Sequence, residues 1–446
     1  MPLIREFLAL TRAMLGLWVR HLPRIGTWLL LGWLLYSVCL LSSALVGTRW
    51  APLGAILFVV GVTFNVLGVV FAIHELKPGI RSIRQIRERG RGELEHVPEP
   101  VFSDERRVDV AVLTIGPVLA VYAVWGVIDG MIRDGFLWNT VIRSMWNATE
   151  WSISRNPDRF WSYLGMGVAA LVGRMVWARL FRKRSSPWWR VPVIFLEGLW
   201  TFATFFIILI GAEQAVIWVR QRRFWREGET AWYRFLEQLP EIRLPFDLTL
   251  PKALKQLTIW LDESVLPGLW DGIALPLMWL AIVAIVFGWR EFRARDLLGQ
   301  HVRARTELLE EAHGDFMATL GRLFNVVTAD LRDKYLPLVY AFKLVWKSGP
   351  YVLGSYLVLT ALLNWGVVEF HTALFRIFAA DTEANILRSF IWLEALREMV
   401  ALSLLTCLYA AAFDRGLADA SGLVDEGRET EWAAPEPGRR LDQPQA

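Results

Sequence analysis

Long apolar stretches alternate with short polar ones along this chain. Ile25–Gly47, Ala51–Ile73, Val108–Met131, Phe160–Phe181, Val191–Trp218, Leu266–Trp289, Tyr351–Phe375 and Asn385–Phe413 each reach the roughly 20 residues that a helix needs to cross the hydrocarbon core of a bilayer. The pattern predicts an all-α, polytopic integral membrane protein with about eight transmembrane helices. Gly54, Gly61 and Gly68 recur every seven residues in the second stretch, a spacing that lets a neighbouring helix come close.

The polar segments divide the chain. Residues 1–24 set Arg5, Arg12, Arg20 and Arg24 among Leu, Phe and Trp, which predicts an interfacial amphipathic helix ended by Pro23. The next apolar run is too long for a cleaved signal peptide and lacks its flanks, so it reads as a retained anchor. Residues 25–289 form a six-span region whose extracytoplasmic loop, 219–265, carries two short helical patterns. Residues 290–349 read as a helical cytoplasmic insertion, 350–413 as a two-span region, and the acidic, proline-bearing 414–446 as a disordered tail.

Composition sharpens the class. The chain is 54% hydrophobic with a mean hydropathy of +0.36, too apolar for an ordinary soluble surface. Most of its 24 Trp residues stand at the ends of apolar runs, where an amphipathic indole is best solvated. Cys39 and Cys407 both lie inside apolar runs, which leaves no disulfide framework and no thiolate metal site. Of the 48 basic residues 41 are arginine, a bias that matches a GC-rich bacterial genome. With both termini inside, the inner segments hold about twice as many cations as the outer ones, which predicts a bacterial cytoplasmic membrane protein with cytoplasmic termini. Arg220, Arg222, Arg223 and Arg226 cluster on the side this assigns to the exterior, against the trend.

Ionisable residues inside the apolar runs are the candidate chemistry. Glu394, Arg397 and Glu398 share one face of the last helix, and a charge at mid-bilayer costs roughly 2.5–3.5 kcal/mol, so that face must look into protein or a wet cavity. Two carboxylates with one cation between them suit a group that changes protonation. Arg174 and Glu197 lie at matching distances from the inner ends of their spans, which predicts an ion pair. Nearer the outer face, Glu369 and His371 are expected to meet Arg388. Arg81, Arg84, Arg87, Arg89 and Arg91, interleaved with isoleucines, make a basic membrane-surface helix that favours anionic lipids over nucleic acid. Ion pairs that only hold helices together account for these charges as well.

Ile194-Phe195-Leu196-Glu197-Gly198-Leu199 echoes Ile391-Trp392-Leu393-Glu394-Ala395-Leu396. In the eight-span topology the two copies run in opposite directions, as an inverted repeat requires. The six histidines form no His-x-x-x-His or His-Glu-x-x-His pair, and the chain has no phosphate-cradling Gly loop and no Gly-x-Ser-x-Gly elbow. No cofactor or metal is expected and the chain reads as a non-enzyme. The sequence therefore points first to a membrane protein of a transport or export system, with a polar site formed by spans four, five, seven and eight. The alternatives are a scaffold or assembly factor that recruits membrane or cytoplasmic proteins through the 290–349 insertion, and a membrane-embedded lipid-modifying enzyme drawing on His74-Glu75.

Overall fold

A computed structural model describes residues 2–47, 50–85, 107–124, 126–128, 130–135, 157–181, 187–240, 243–244, 248–287, 349–378 and 383–420. They are almost entirely helical. In chain order the main helices are α1 (Pro2–Gly47), α2 (Ala51–Leu76), α3 (Arg107–Val124), α4 (Phe160–Phe181), α5 (Val191–Arg220), α6 (Arg223–Gln238), α7 (Leu250–Trp260), α8 (Leu266–Leu269), α9 (Leu275–Val286), α10 (Pro350–Phe378) and α11 (Glu383–Ala420). Two strands of two residues each, Arg243–Leu244 and Leu248–Thr249, pair antiparallel between α6 and α7. Seven helical stretches are long and apolar enough to cross a membrane, and Val110–Ala123 is a shorter apolar helix where the third span is predicted. The 290–348 part of the predicted insertion, Arg87, Arg89, Arg91 and residues 421–446 lie outside the described residues.

One expectation is overturned at the start of the chain. Pro23 does not end a surface helix; α1 runs through it without a break. A proline inside a helix costs about 3 kcal/mol. Against that, Leu10 and Met14 before it and Ile25 and Leu29 after it are all buried in the core. A buried aliphatic side chain makes on the order of 40–60 atom contacts at about 0.1–0.2 kcal/mol each, so four of them on one face outweigh one missing hydrogen bond. The resulting helix of 46 residues is roughly 70 Å long.

The glycine spacing of α2 sets the closest helix contact. A Cβ on Gly54 would lie 2.6 Å from the Gly47 Cα, one on Gly61 2.8 Å from the Cys39 Cβ, and one on Gly68 2.9 Å from the Trp28 carbonyl oxygen. Only hydrogen at these positions lets α1 and α2 lie side by side over their shared length. The order of these contacts makes the two helices antiparallel, and the Ser43 hydroxyl closes the seam by donating to the Gly54 carbonyl at 2.7 Å. Beyond the far end of α2, Ser82 donates twice to Asp414, from its backbone N–H to the carboxylate and from its hydroxyl to the carbonyl, and Arg415 forks onto Glu6 at 3.1 and 3.2 Å. Helix α11 therefore continues to Ala420, past the Phe413 limit of its apolar run, because its last turns dock on α1 and on the segment after α2.

Helices α5 and the composite Leu250–Val286 overshoot the bundle. Burial within α5 stops at Ile210, and the residues of α9 are buried while almost all of 250–274 is half-buried or exposed. Two π-helical turns, Leu261–Val265 and Trp270–Ala274, interrupt that composite. Helix α6 follows α5 through a turn at which the Arg222 guanidinium stacks 3.9 Å over Trp218, and it exposes Phe224, Trp225, Trp232 and Phe235. The arginine cluster that opposes the charge trend belongs to this appendage.

Candidate charged site

Two helical hairpins carry the ion pairs, in the first with a buried carboxylate and in the second with half-buried partners. In the first, α4 and α5 pack antiparallel, with Gly167 against Ala203, Gly173 against Leu196 and an Arg174–Glu197 contact of 2.5 Å. Glu197 is 4% exposed, so the guanidinium is its principal replacement for water. Next to it the bare Cα of Gly198 faces Thr63 of α2, whose Oγ1 would lie 2.5 Å from a Cβ. Phe195 and Phe202 rest edge-on against Phe64 and Phe58 of α2 on either side. This order of contacts makes α5 antiparallel to α2 and so parallel to α1.

In the second hairpin α10 and α11 bring His371 Nε2 to 3.1 Å from a Glu394 carboxylate oxygen, and Arg397 contacts the other oxygen of the same carboxylate. The reading from span ends paired His371 with Arg388; the structure gives it to Glu394, which joins the outer polar group to the Glu394–Arg397–Glu398 group. Glu369 points to the exposed side of α10, and the Arg388 side chain lies outside the described residues. Glu394, Arg397 and Glu398 lie on α11 roughly three to four turns from its start at Glu383.

The second site gathers groups that no local pattern announces. Asp134, just beyond α3, lies in electrostatic range of Glu394, Glu398 and Arg397. The Asp134 side chain is exposed at the surface, so although partial loss of water and then Glu394 raise its carboxyl, with Arg133 and Arg397 pulling the other way, solvent screens much of that effect. Tyr36 of α1 and Tyr122 of α3 lie in range of the Glu398 charge. Tyr36 is 7% exposed and its hydroxyl has no hydrogen-bond partner among the described residues; Arg397 Nε is likewise unmatched. Among the described residues three carboxylates thus face two arginines, Arg133 and Arg397, and a histidine that is charged only when protonated. Among the described residues no group of three or more His, Cys, Asp or Glu side chains is placed to hold a metal ion.

The two hairpins correspond. Arg174 precedes Glu197 by the same number of residues as His371 precedes Glu394, and the register that aligns the two six-residue echoes also lays Arg179-Leu180-Phe181 on Arg376-Ile377-Phe378. Their directions are opposite. Trp18 of α1 donates to the Ser403 hydroxyl at 2.9 Å while Glu6 meets Arg415, so α11 is antiparallel to α1, whereas α5 is parallel to it. The hairpins share α2 and differ in their other neighbours, since α5 packs on α2 and α3, whereas α10 packs on α1 and α11 on α1, α2 and α9. The four predicted spans therefore hold two charged sites in place of one continuous path. The echo could have located His371 as the counterpart of Arg174 had it been extended backwards without a gap. Tyr36 and Asp134 left no such signal.

No protein-family model matches the chain, and no curated protein or solved structure matches it significantly.

Proposed function

We propose that this chain is a multi-pass membrane protein of a transport or export system, built on two inverted helical hairpins that each carry a carboxylate paired with a base. The observation that supports it is the repeated pair, Arg174–Glu197 and His371–Glu394, at one sequence spacing and in opposite orientation. Inverted repeats give a carrier two near-equivalent halves whose exchange of conformation opens a site to one side and then the other. The excess of carboxylate over cation around Glu398 supports a cationic cargo or coupling ion at the second hairpin. The setting we propose is a bacterial cytoplasmic membrane with both termini inside, and anionic lipids against Arg81 and Arg84.

The test is two-sided access to the site. Ala395 is buried beside Glu394, and an Ala395→Cys thiol in a carrier reacts with a membrane-impermeant maleimide in right-side-out and in inside-out vesicles alike. Reaction in one vesicle orientation only would sink the transport reading. It would favour the second one, a scaffold, for which the exposed aromatic face of α6 supplies a docking surface.

A further inference from the structure

We propose that the bare face of α10 is the contact with a second copy of this chain, two α10 helices lying parallel about a two-fold axis with Asn364 of each hydrogen-bonded to the partner's Glu369. The inference rests on the membrane setting of the reading above and not on transport. Helix α10 gives its other faces to α11 and α1.

Polarity carries the first half of the argument. Asn364 stands midway along the 29 residues of α10, and Glu369 stands nine residues before the end at Phe378, roughly 13 Å along the axis. Both side chains are exposed, and neither has a hydrogen bond or an ion pair among the described residues. An amide and a carboxyl group facing hydrocarbon have nothing to bond, so polar residues at this depth turn inward or meet another helix. These two turn outward.

Spacing carries the second half. A stripe of Val358, Ala361, Trp365, Val368 and Thr372 runs between them at intervals of three and four residues, the pattern along which two helices pack knobs into holes. Val358, Trp365 and Val368 are 49%, 64% and 60% exposed, so the stripe is open. Asn364 borders it on one side and Glu369 on the other. Copies inserted in one orientation pair parallel, and in a parallel pair a residue on one flank meets the partner residue five positions later on the opposite flank. Asn364 and Glu369 are five positions apart. The Asn364 amide N–H therefore donates to the carboxylate of the partner's Glu369, and the two-fold axis repeats the bond, so the face satisfies itself. An unrelated helix would have to bring an acceptor and a donor to the two flanks at the right depths; a second copy carries both.

The full chain, with one fluorophore per copy and reconstituted in liposomes at falling protein-to-lipid ratios, tests this by counting photobleaching steps. The expected result is a dimer whose dissociation constant rises about tenfold or more in Asn364→Leu, the scale of an interhelical polar contact in a membrane. Asn364→Glu sets carboxylates opposite each other and should leave monomers, and adding Glu369→Asn should restore the dimer by exchanging the two partners. Val368→Cys on the stripe should cross-link copy to copy under mild oxidation in native membranes, whereas Gly366→Cys off it should not; this pair carries the test if the glutamate variant does not fold. A parent chain that is monomeric at every density, a dimer that Asn364→Glu leaves intact, or a Val368→Cys cross-link to a different protein overturns the inference, whichever way Ala395→Cys labels. Conversely, the expected dimer together with one-sided labelling leaves the contact standing and removes the transport reading.

Discussion

Glu197 and Glu394 are carboxylates at equivalent positions of two hairpins, but their partners differ in kind. Arg174 is charged at any accessible pH, whereas the His371 imidazole is charged only when protonated. Glu197→Gln strands a guanidinium in an apolar setting and is expected to cost about 3 kcal/mol, with Arg174→Met plus Glu197→Leu recovering most of it in detergent melting experiments. A double variant as unstable as the sum of the singles would show that the contact contributes nothing. Asp134 gives the opposite sign from a usual paired carboxylate. Its folded pKa is raised, so the folded state binds its proton more tightly than the unfolded chain does, and stability is lost as pH rises through the folded value. Because the Asp134 side chain is exposed and solvent screens it, Asp134→Asn should melt only slightly above the parent at neutral pH and show no advantage well below pH 4.

At the scale of elements, what the sequence made legible was whatever depends on a short period. The apolar runs fall on helices, and the seven-residue glycine spacing of α2 is the seam with α1 because both facts follow from 3.6 residues per turn. Gly61→Leu or Gly68→Leu must push α1 and α2 apart by more than an ångström, and a loss of folded protein from the membrane is expected for each, while Gly16→Leu, with nothing within 4 Å, should be tolerated. Long-range facts were not legible. Pro23 looks like a stop until the packing of Leu10, Met14, Ile25 and Leu29 is known, and Trp18 meets Ser403 on a helix more than 300 residues later. The contact of His371 with Glu394 joins two helices and has no local signal, while the expected Arg388 contact falls outside the described residues. The Arg174–Glu197 pair was readable since both hairpin arms are anchored at the same tight link, which makes counting from the link reliable.

For the whole molecule the long axis is the informative dimension. A helix of roughly 70 Å exceeds the ~30 Å hydrocarbon core, so α1 passes well beyond it unless it lies steeply tilted, as do α5 and Leu250–Val286. In intact cells, Gly228→Cys on the appendage is expected to react with an impermeant maleimide and Arg84→Cys at the opposite end to stay unlabelled until the membrane is opened; the reverse pattern would invert the proposed orientation.

The glycine seam also decides what the two hairpins are fastened to. Two rods in backbone contact along their length resist sliding and twisting, much as a welded mast does. The α4–α5 hairpin is fastened to that mast where Gly198 meets Thr63. The other hairpin is moored to the same pair by hydrogen bonds in place of a glycine seat: Trp18 donates to Ser403, Ser82 donates to Asp414 and Arg415 forks onto Glu6. Both hairpins thus hang from one rigid spine, and what sets them apart is the kind of fastening, bare shape at one and polar bonds at the other.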